Sequence, residues 1–526
     1  MKQFLLAILS GALLGAPFIA PLLWPLALVG LAPLLLAITS PAISRKRAFV
    51  LGMFTGLVLY GIALWAIFWS VLPLDWLGIF DLPFQLVLVT VGWFMTVLGF
   101  ALWTGIFALV YSRISNNSWH DILTASALWI ITEYVGAWWF SIQNLGPGSI
   151  AGPHFALAFI GNVLAADSAL VQIAWVGGVY ALSAIVVATG AVVYRVVHGE
   201  GQERRMIGII AFTSLAIWLV GHIILAQLPD QGGGQRIRIA AISTQEPAAF
   251  TSTPRQGAAR LELIRSFLPK TRGADIVAFP EGSDFLTLMR EPAPAKMKPA
   301  LRSLYAETTL PVFIDSGSAY SSNGTLRSRA EAYDIAAGVS EFQDKRFLLP
   351  DGEYVPTYVR AWVSAVGRGE ALNAILDQHG LTPGDDVRPL TAASTSIGVL
   401  FCNEAMSPVL YRSLARQGAG VFVNVASHGW FHGSRLVANQ MLNVAIIRAV
   451  ESRRWYVQAS NVAPSFALDP YGRIATSSVW GTTGVIEVSV ETRNDATPYG
   501  YLGPWAVWLA ASALLVIFVP RRKRMR

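Results

Sequence analysis

The sequence predicts a polytopic α-helical membrane domain of about eight spans joined to a layered α/β domain. Three observations predict it. The chain is 54% hydrophobic and only 13% charged over 526 residues, whereas a soluble domain carries roughly 25% charged residues. The charge is uneven: residues 1–227 are almost wholly apolar, and most acids and bases fall between 229 and 495. Within that charged stretch, strand-like apolar runs alternate with helical ones. The chain therefore divides into 1–227, with about seven spans, then 228–498, the size of one domain, then 499–526, a last span and a basic tail.

A spanning helix needs about 20 mainly apolar residues. Runs at 3–20, 21–40, 48–71, 84–112, 120–140, 168–195, 206–227 and 500–519 qualify. The first two are short and separated by Pro17 and Pro21, which suits a tight helical hairpin. Lys2 and the run behind it also fit a cleaved leader, but a second apolar run follows at once, with prolines where a cleavage site would sit. Counting spans puts Arg45, Lys46, Arg47, Arg113, Arg195, Arg204, Arg205 and the tail at 521–526 on one side. The facing loops carry Asp75 and Asp81 and little Lys or Arg. The positive-inside rule makes the basic side the cytoplasm, so both termini are expected there and 228–498 faces outward.

The segment 141–167 is outward, rich in Gly and Pro, and still apolar. It either lies along the interface beside the charged domain or re-enters the bundle. The net charge of +7 does not point to nucleic acid, because five of the basic residues crowd the last six positions, RRKRMR. A lipid bilayer is the expected partner, and no basic–aromatic nucleic-acid motif is present.

Within the charged domain, strands are predicted over 236–244, 274–282, 311–319, 330–338, 396–404, 420–430, 455–461, 465–478 and 482–490. Helices are predicted over 256–268, 296–308 and 434–452. Asp469-Pro470-Tyr471-Gly472 reads as a turn between two strands. Strand–helix alternation with hairpins argues a layered α/β domain rather than a β-sandwich.

Catalytic groups in layered α/β domains tend to sit where strands end. Glu281 follows IVAFP, Lys345 lies in EFQDKRFLLPDGEYVP, and Cys402, the one cysteine of the chain, follows IGVLF. A thiol, a carboxylate and an amine are what nucleophilic acyl transfer needs. The thiolate attacks a carbonyl, the carboxylate moves the protons, and the cation steadies the oxyanion. Each residue also has a plain structural reading. Cys402 fits a small buried hydrophobe, Glu281 a helix N-terminal acid, and Lys345 a solvated surface charge. Spacing alone does not choose. One cysteine excludes an internal disulfide. His428 and His432 have the spacing of a metal pair but lack a third ligand, and no phosphate-binding loop is present, so neither metal nor cofactor is expected.

Read in order, FPEG (279–282), K-x-x-L-x-P-x-G-E-Y-V-P (345–356) and C-x-E (402–404) resemble the nitrilase, or carbon–nitrogen hydrolase, superfamily. Over nearly its full length the chain resembles the apolipoprotein N-acyltransferase family of bacterial envelopes. LLPDGEYVP (348–356) is the most specific stretch. The resemblance implies a nitrilase-like αββα domain inserted between the last two spans of an inner-membrane protein, on the periplasmic side. It implies Glu281 as general base, Lys345 as oxyanion cation and Cys402 as nucleophile, with Glu353 and Glu404 supporting them. Trp430 and Phe431 match a pair near the substrate entrance. It also implies a phospholipid as acyl donor and the amine of a diacylglyceryl lipoprotein as acceptor. An envelope amidase with water as acceptor, or a non-catalytic conjugal-transfer or envelope scaffold, are the alternatives.

Several positions depart from that pattern: Asn403 beside the cysteine, Thr244-Gln245-Glu246 after the first strand, Ser427-His428-Gly429-Trp430-Phe431-His432, and Asp344 before the lysine. They resemble a divergent paralogue such as those found among plasmid conjugal-transfer genes. Asp344, as an adjacent carboxylate, is expected to help keep Lys345 charged.

Overall fold

The computed structural model describes residues 1–40, 43–75, 79–116, 118–198, 201–228, 233–247, 253–291, 293–305, 309–370, 372–373, 376 and 380–518. The basic tail at 521–526, used above to orient the last span, lies outside the described residues. Among the described residues, five helices are long and apolar enough to cross a membrane: Lys2–Ile19, Pro21–Ile38, Arg45–Trp69, Leu82–Ile114 and Leu170–His198. These five fall among the eight expected spans, and the other three are not confirmed by length and composition. His120–Gln143 carries Asp121 and Glu133 along its 24 residues. Phe212–Gln227 and Trp505–Leu515 are shorter apolar stretches.

Small residues let the first helices approach closely. A Cβ on Gly11 would lie 2.5 Å from Thr55 O, and one on Gly52 would lie 2.5 Å from Thr104 O. The helix Ala174–His198 breaks its regular geometry at Gly178, where φ is +66°. Glu451, from the charged half of the chain, accepts the Val179 N–H at that break, at 2.9 Å. The segment 141–167 does both things the sequence left open. Its first part packs on the charged domain, with Tyr354 Oη donating to Asn144 O at 2.9 Å and Ala156 N to Met406 O at 3.0 Å. Its second part, Ile160–Ala166, is buried against the bundle.

The charged domain is built on one sheet. Its strands are β1 (Arg236–Thr244), β2 (Ile276–Ala278), β3 (Val312–Tyr320), β4 (Leu326–Asp334), β5 (Val339–Asp344), β6 (Leu390–Ala392), β7 (Thr395–Phe401), β8 (Val421–Ser427), β9 (Trp455–Asn461), β10 (Phe466–Leu468), β11 (Ile474–Ser477) and β12 (Gly484–Glu491). The order is β5-β4-β3-β2-β1-β9-β8-β7-β6, with β12 on β1 and the β10–β11 hairpin on β9. The pairs β1–β2, β2–β3, β7–β8, β8–β9 and β1–β9 are parallel. Their carboxyl ends therefore open toward the same region.

The two halves of this sheet face each other. Ile239, Ile276 and Ile314 from one half share a buried cluster with Val399, Val423 and Val457 from the other. On the outer faces, Val277 and Phe313 pack with Ile264 and Leu301 of the helices Pro254–Phe267 and Pro294–Leu304. Leu400, Phe422 and Tyr456 pack with Leu414 and Ile447 of Pro408–Arg416 and Arg435–Ser452. This is a helix–sheet–sheet–helix layering. Strands buried on both faces read as unbroken apolar runs, as VFVNVAS of β8 does. The second outer cluster does not stop at the domain: it continues through Leu14, Leu31, Phe107 and Val186 of the apolar helices.

The sheet's two end strands also meet through side chains. Thr391 N donates to Glu341 Oε2 at 2.9 Å, and Gln343 Oε1 accepts Arg388 N at 3.0 Å. Gln343 Nε2 donates to Asp386 O at 3.0 Å.

Candidate active site

Each of the three reactive residues sits just past a strand. Glu281 follows β2, Lys345 follows β5, and Cys402 opens a short 3-10 turn, Cys402–Met406, directly after β7. β2 and β7 belong to opposite halves of the sheet, so the facing of the halves is what brings acid and thiol together. Cys402 takes φ +26°. A non-glycine residue held there costs about 1–3 kcal/mol and persists only where the surroundings fix it.

The surroundings can be named. Lys345 Nζ donates to Glu281 Oε1 at 3.0 Å and to Glu353 Oε1 at 2.7 Å, and its side chain is 2% exposed. Glu353 Oε2 accepts Leu349 N at 2.7 Å, which closes the loop that carries the lysine. Glu404, buried, accepts three backbone N–H groups, from Arg346 at 2.8 Å, Phe347 at 3.0 Å and Phe401 at 3.0 Å. It thereby ties the lysine loop to the cysteine turn. Cys402 is half-buried, and its thiol faces Ser427 O at 3.7 Å. Glu353 and Glu404 thus lie with the three reactive residues, the first on the ammonium and the second on the backbone.

Charge sets the resting state. Burial, then the Glu281 carboxylate, pushes the Cys402 thiol up to about 12, against the opposing pull of Lys345. The thiol therefore rests protonated and needs a base. Burial raises the Glu281 carboxyl above its usual range, while Lys345 opposes the shift. That makes it a better proton acceptor than a solvated glutamate. Burial alone would lower Lys345, but Glu281, Glu353 and Cys402 reverse this and hold it well above the ordinary lysine value. The expectation for Asp344 is corrected here. Its carboxylate is taken by Arg329, at 2.6 and 3.0 Å, and by Arg327 at 3.0 Å, so it points away from the lysine beside it. Glu281 and Glu353 are the residues that hold the charge.

Trp430 and Phe431 lie in the 3-10 turn Gly429–Phe431 and line the same cavity as Cys402. His428 and His432 hold separate partners. His428 Nδ1 lies 3.3 Å from Ser460 Oγ, and burial pushes its ring down to about 4, so it is neutral. His432 Nε2 reaches Val71 O and Pro73 O, each at 3.2 Å. The sequence reading noted Ser427 and Asn403 only as departures from the family pattern and missed what they do: Ser427 acts through its backbone, and Asn403 donates Nδ2 to Phe347 O at 3.0 Å. No residue-type pattern announces either.

The cavity measures about 1340 Å³. Glu281, Lys345, Glu353 and Cys402 line one part, and Ile67, Phe68, Val89 and Met95 of the apolar helices line another. One chamber thus joins the acid, the amine and the thiol to an apolar surface suited to hydrocarbon.

A parallel-centred double-layered sheet with an acid, an amine and a thiol at its strand ends defines a carbon–nitrogen hydrolase. Residues 239–499 match the carbon–nitrogen hydrolase family, and residues 10–192 match the apolipoprotein N-acyltransferase N-terminal domain. An apolipoprotein N-acyltransferase from Geobacter metallireducens is 25% identical over 99% of this chain and 96% of its own. One from Pseudomonas aeruginosa is 26% identical over 97% and 94%, and one from Gloeobacter violaceus is 27% identical over 94% and 89%. The chain belongs to the apolipoprotein N-acyltransferase family.

Proposed function

We propose that this protein is a membrane-embedded N-acyltransferase of lipoprotein maturation. It takes a fatty acyl chain from a phospholipid, holds it as a thioester on Cys402, and passes it to the terminal amine of a diacylglyceryl lipoprotein. The single observation that carries this reading is the shared chamber of Cys402 and the apolar helices.

The chemistry follows from the groups at hand. Glu281 takes the thiol proton as sulfur attacks the ester carbonyl. Lys345 Nζ steadies the oxyanion, a donor worth about 2.7–4 kcal/mol in comparable sites. The C–O bond breaks, and Glu281 returns the proton to the departing lysophospholipid oxygen. In the second half the amine attacks the thioester, Glu281 takes the amine's proton, the C–S bond breaks, and the proton returns to sulfur. Trp430 and Phe431 guard the entrance. Both substrates reside in the bilayer, so a site anchored by helices meets them in two dimensions. The positive-inside pattern supports a periplasmic site with cytoplasmic termini in the inner membrane.

The test is intact mass spectrometry of the full chain after incubation with phospholipid vesicles. The wild type is expected to gain one fatty acyl mass and Cys402→Ala none. An adduct that then decays equally fast with and without an amine-bearing lipopeptide would make water the acceptor and the protein an amidase. The absence of any adduct would leave the scaffold reading.

A further inference from the structure

Three strand ends meet beside the reactive thiol, and one side chain joins them. Asn461 closes β9 and is 5% exposed. In the ladder it stands opposite Thr244 of β1 and Ser427 of β8. The registered pairing of the three strands ends at these positions. Asn461 Oδ1 accepts Thr244 Oγ1 at 2.9 Å and Glu246 N at 2.8 Å. Its Nδ2 donates to Glu246 O at 2.9 Å and to Ser427 Oγ at 3.1 Å. Its own carbonyl accepts His428 N at 2.9 Å. A carboxamide has two donors and two acceptor sites. All four are used, so the group has one orientation.

Ser427 is the member of this knot that faces the chemistry. Its carbonyl is the acceptor 3.7 Å from Cys402 Sγ. As an acceptor that carbonyl holds the protonated thiol, and backbone hydrogen bonding from Ser427 favours the Glu281 carboxylate against the burial that raises it. One peptide segment therefore touches both the nucleophile and the base, and Asn461 grips it by its hydroxyl and by the next N–H.

We infer that Asn461 is a positioning residue for acyl transfer: it holds the Ser427–His428 turn so that the Ser427 backbone aligns the Cys402 thiol with Glu281. This rests on the acyl-thioester reading above. An aspartate at the same place keeps both acceptor bonds and can accept from the Ser427 hydroxyl, but it sets an oxygen against Glu246 O. An alanine loses all four bonds of the amide. Neither change removes a group that touches substrate.

The experiment uses the full chain in detergent with phosphatidylethanolamine vesicles, reading the rate of Cys402 adduct formation by intact mass against pH. The charged groups facing Glu281 are Lys345, Glu353 and Cys402, and none of them is altered. Asn461→Ala and Asn461→Asp are expected to slow adduct formation about tenfold or more. The half-rise of the acid limb is expected to move to higher pH, because Glu281 loses a bond that favours its carboxylate. The vesicle concentration for half-maximal rate is expected to stay unchanged. Ser427→Ala, which removes one hydroxyl, is expected to move the limb the same way by less, and it serves if the Asn461 variants do not fold. A rate within about twofold of wild type, or a slower rate with an unmoved limb, overturns the inference. If the wild type itself forms no adduct, the acyl-transfer reading falls. Iodoacetamide labelling of Cys402 then decides the positioning: slower labelling in Asn461→Ala supports it, and an equal rate overturns it.

Discussion

Replacing Lys345 by methionine keeps most of the side chain's volume and removes its charge. In the native site Nζ lies 3.0 Å from Glu281 and 2.7 Å from Glu353. At an effective dielectric of about 20 these contacts are worth about 5.5 and about 6 kcal/mol before desolvation is counted. Desolvation consumes much of that, and breaking a buried pair by removing one partner costs about 3–5 kcal/mol net. The loss has a definite pH dependence. Without the ammonium, the Glu281 carboxyl loses the partner that opposes its burial and rises further above its unfolded value. A carboxyl raised in the folded state is penalised only where it is ionised. The deficit is therefore full above neutral pH and fades as pH falls toward the ordinary glutamate range. Thermal unfolding followed by tryptophan fluorescence should show Lys345→Met melting on the order of 10 °C lower at pH 8. At pH 5 the gap should be less than half as large, and at neither pH should an acyl adduct form on Cys402. An equal gap at the two pH values, or adduct formation at the wild-type rate, would refute the reasoning.

Glu404→Ala frees three buried N–H groups that it now satisfies. Each costs about 1–3 kcal/mol, so a fall in melting temperature comparable to that of Lys345→Met is expected, with adduct formation reduced as the lysine loop and cysteine turn part. Asp344→Asn should leave the adduct rate within about twofold, since the carboxylate serves Arg327 and Arg329 rather than the lysine. A complete loss of adduct in that variant would return Asp344 to the site. The Cys402 thiol, pushed up to about 12, should react slowly with iodoacetamide at pH 7. The rate should climb about tenfold per pH unit through pH 9, and a plateau by pH 8 would contradict the assignment.

The strand ends were the legible part of the site. VFVNVAS and WYVQASN announce buried strands by their apolar runs, and both occupy the expected residues. The reactive residues fell at such ends, but each also had a plain structural reading, and the family motifs chose between the two. Glu404 and Glu353 came through a motif, and their roles differ: one serves an ammonium and the other only peptide N–H groups. The role of Ser427, and Asn461 altogether, were invisible, because hydrogen bonding to backbone leaves no periodicity in the sequence. β5 was missed because its residues are mostly polar and its two apolar ones, Val339 and Phe342, are exposed. Spans were easier to locate than to count. A helix such as His120–Gln143 mixes apolar residues with Asp121 and Glu133 that its neighbours bury.

The helix Arg435–Ser452 lies against the sheet through Ile447 and belongs to the same packed interior as Leu14 and Val186. Its Glu451 also fastens the break at Gly178. Because the two halves pack directly against each other there, residues 228–498 excised from their helices would present a raw hydrocarbon wall to solvent. The enzyme's thermal tolerance should consequently track the amphiphile that surrounds it, and a surfactant harsh enough to loosen the anchor would be expected to disarm the thiol as well.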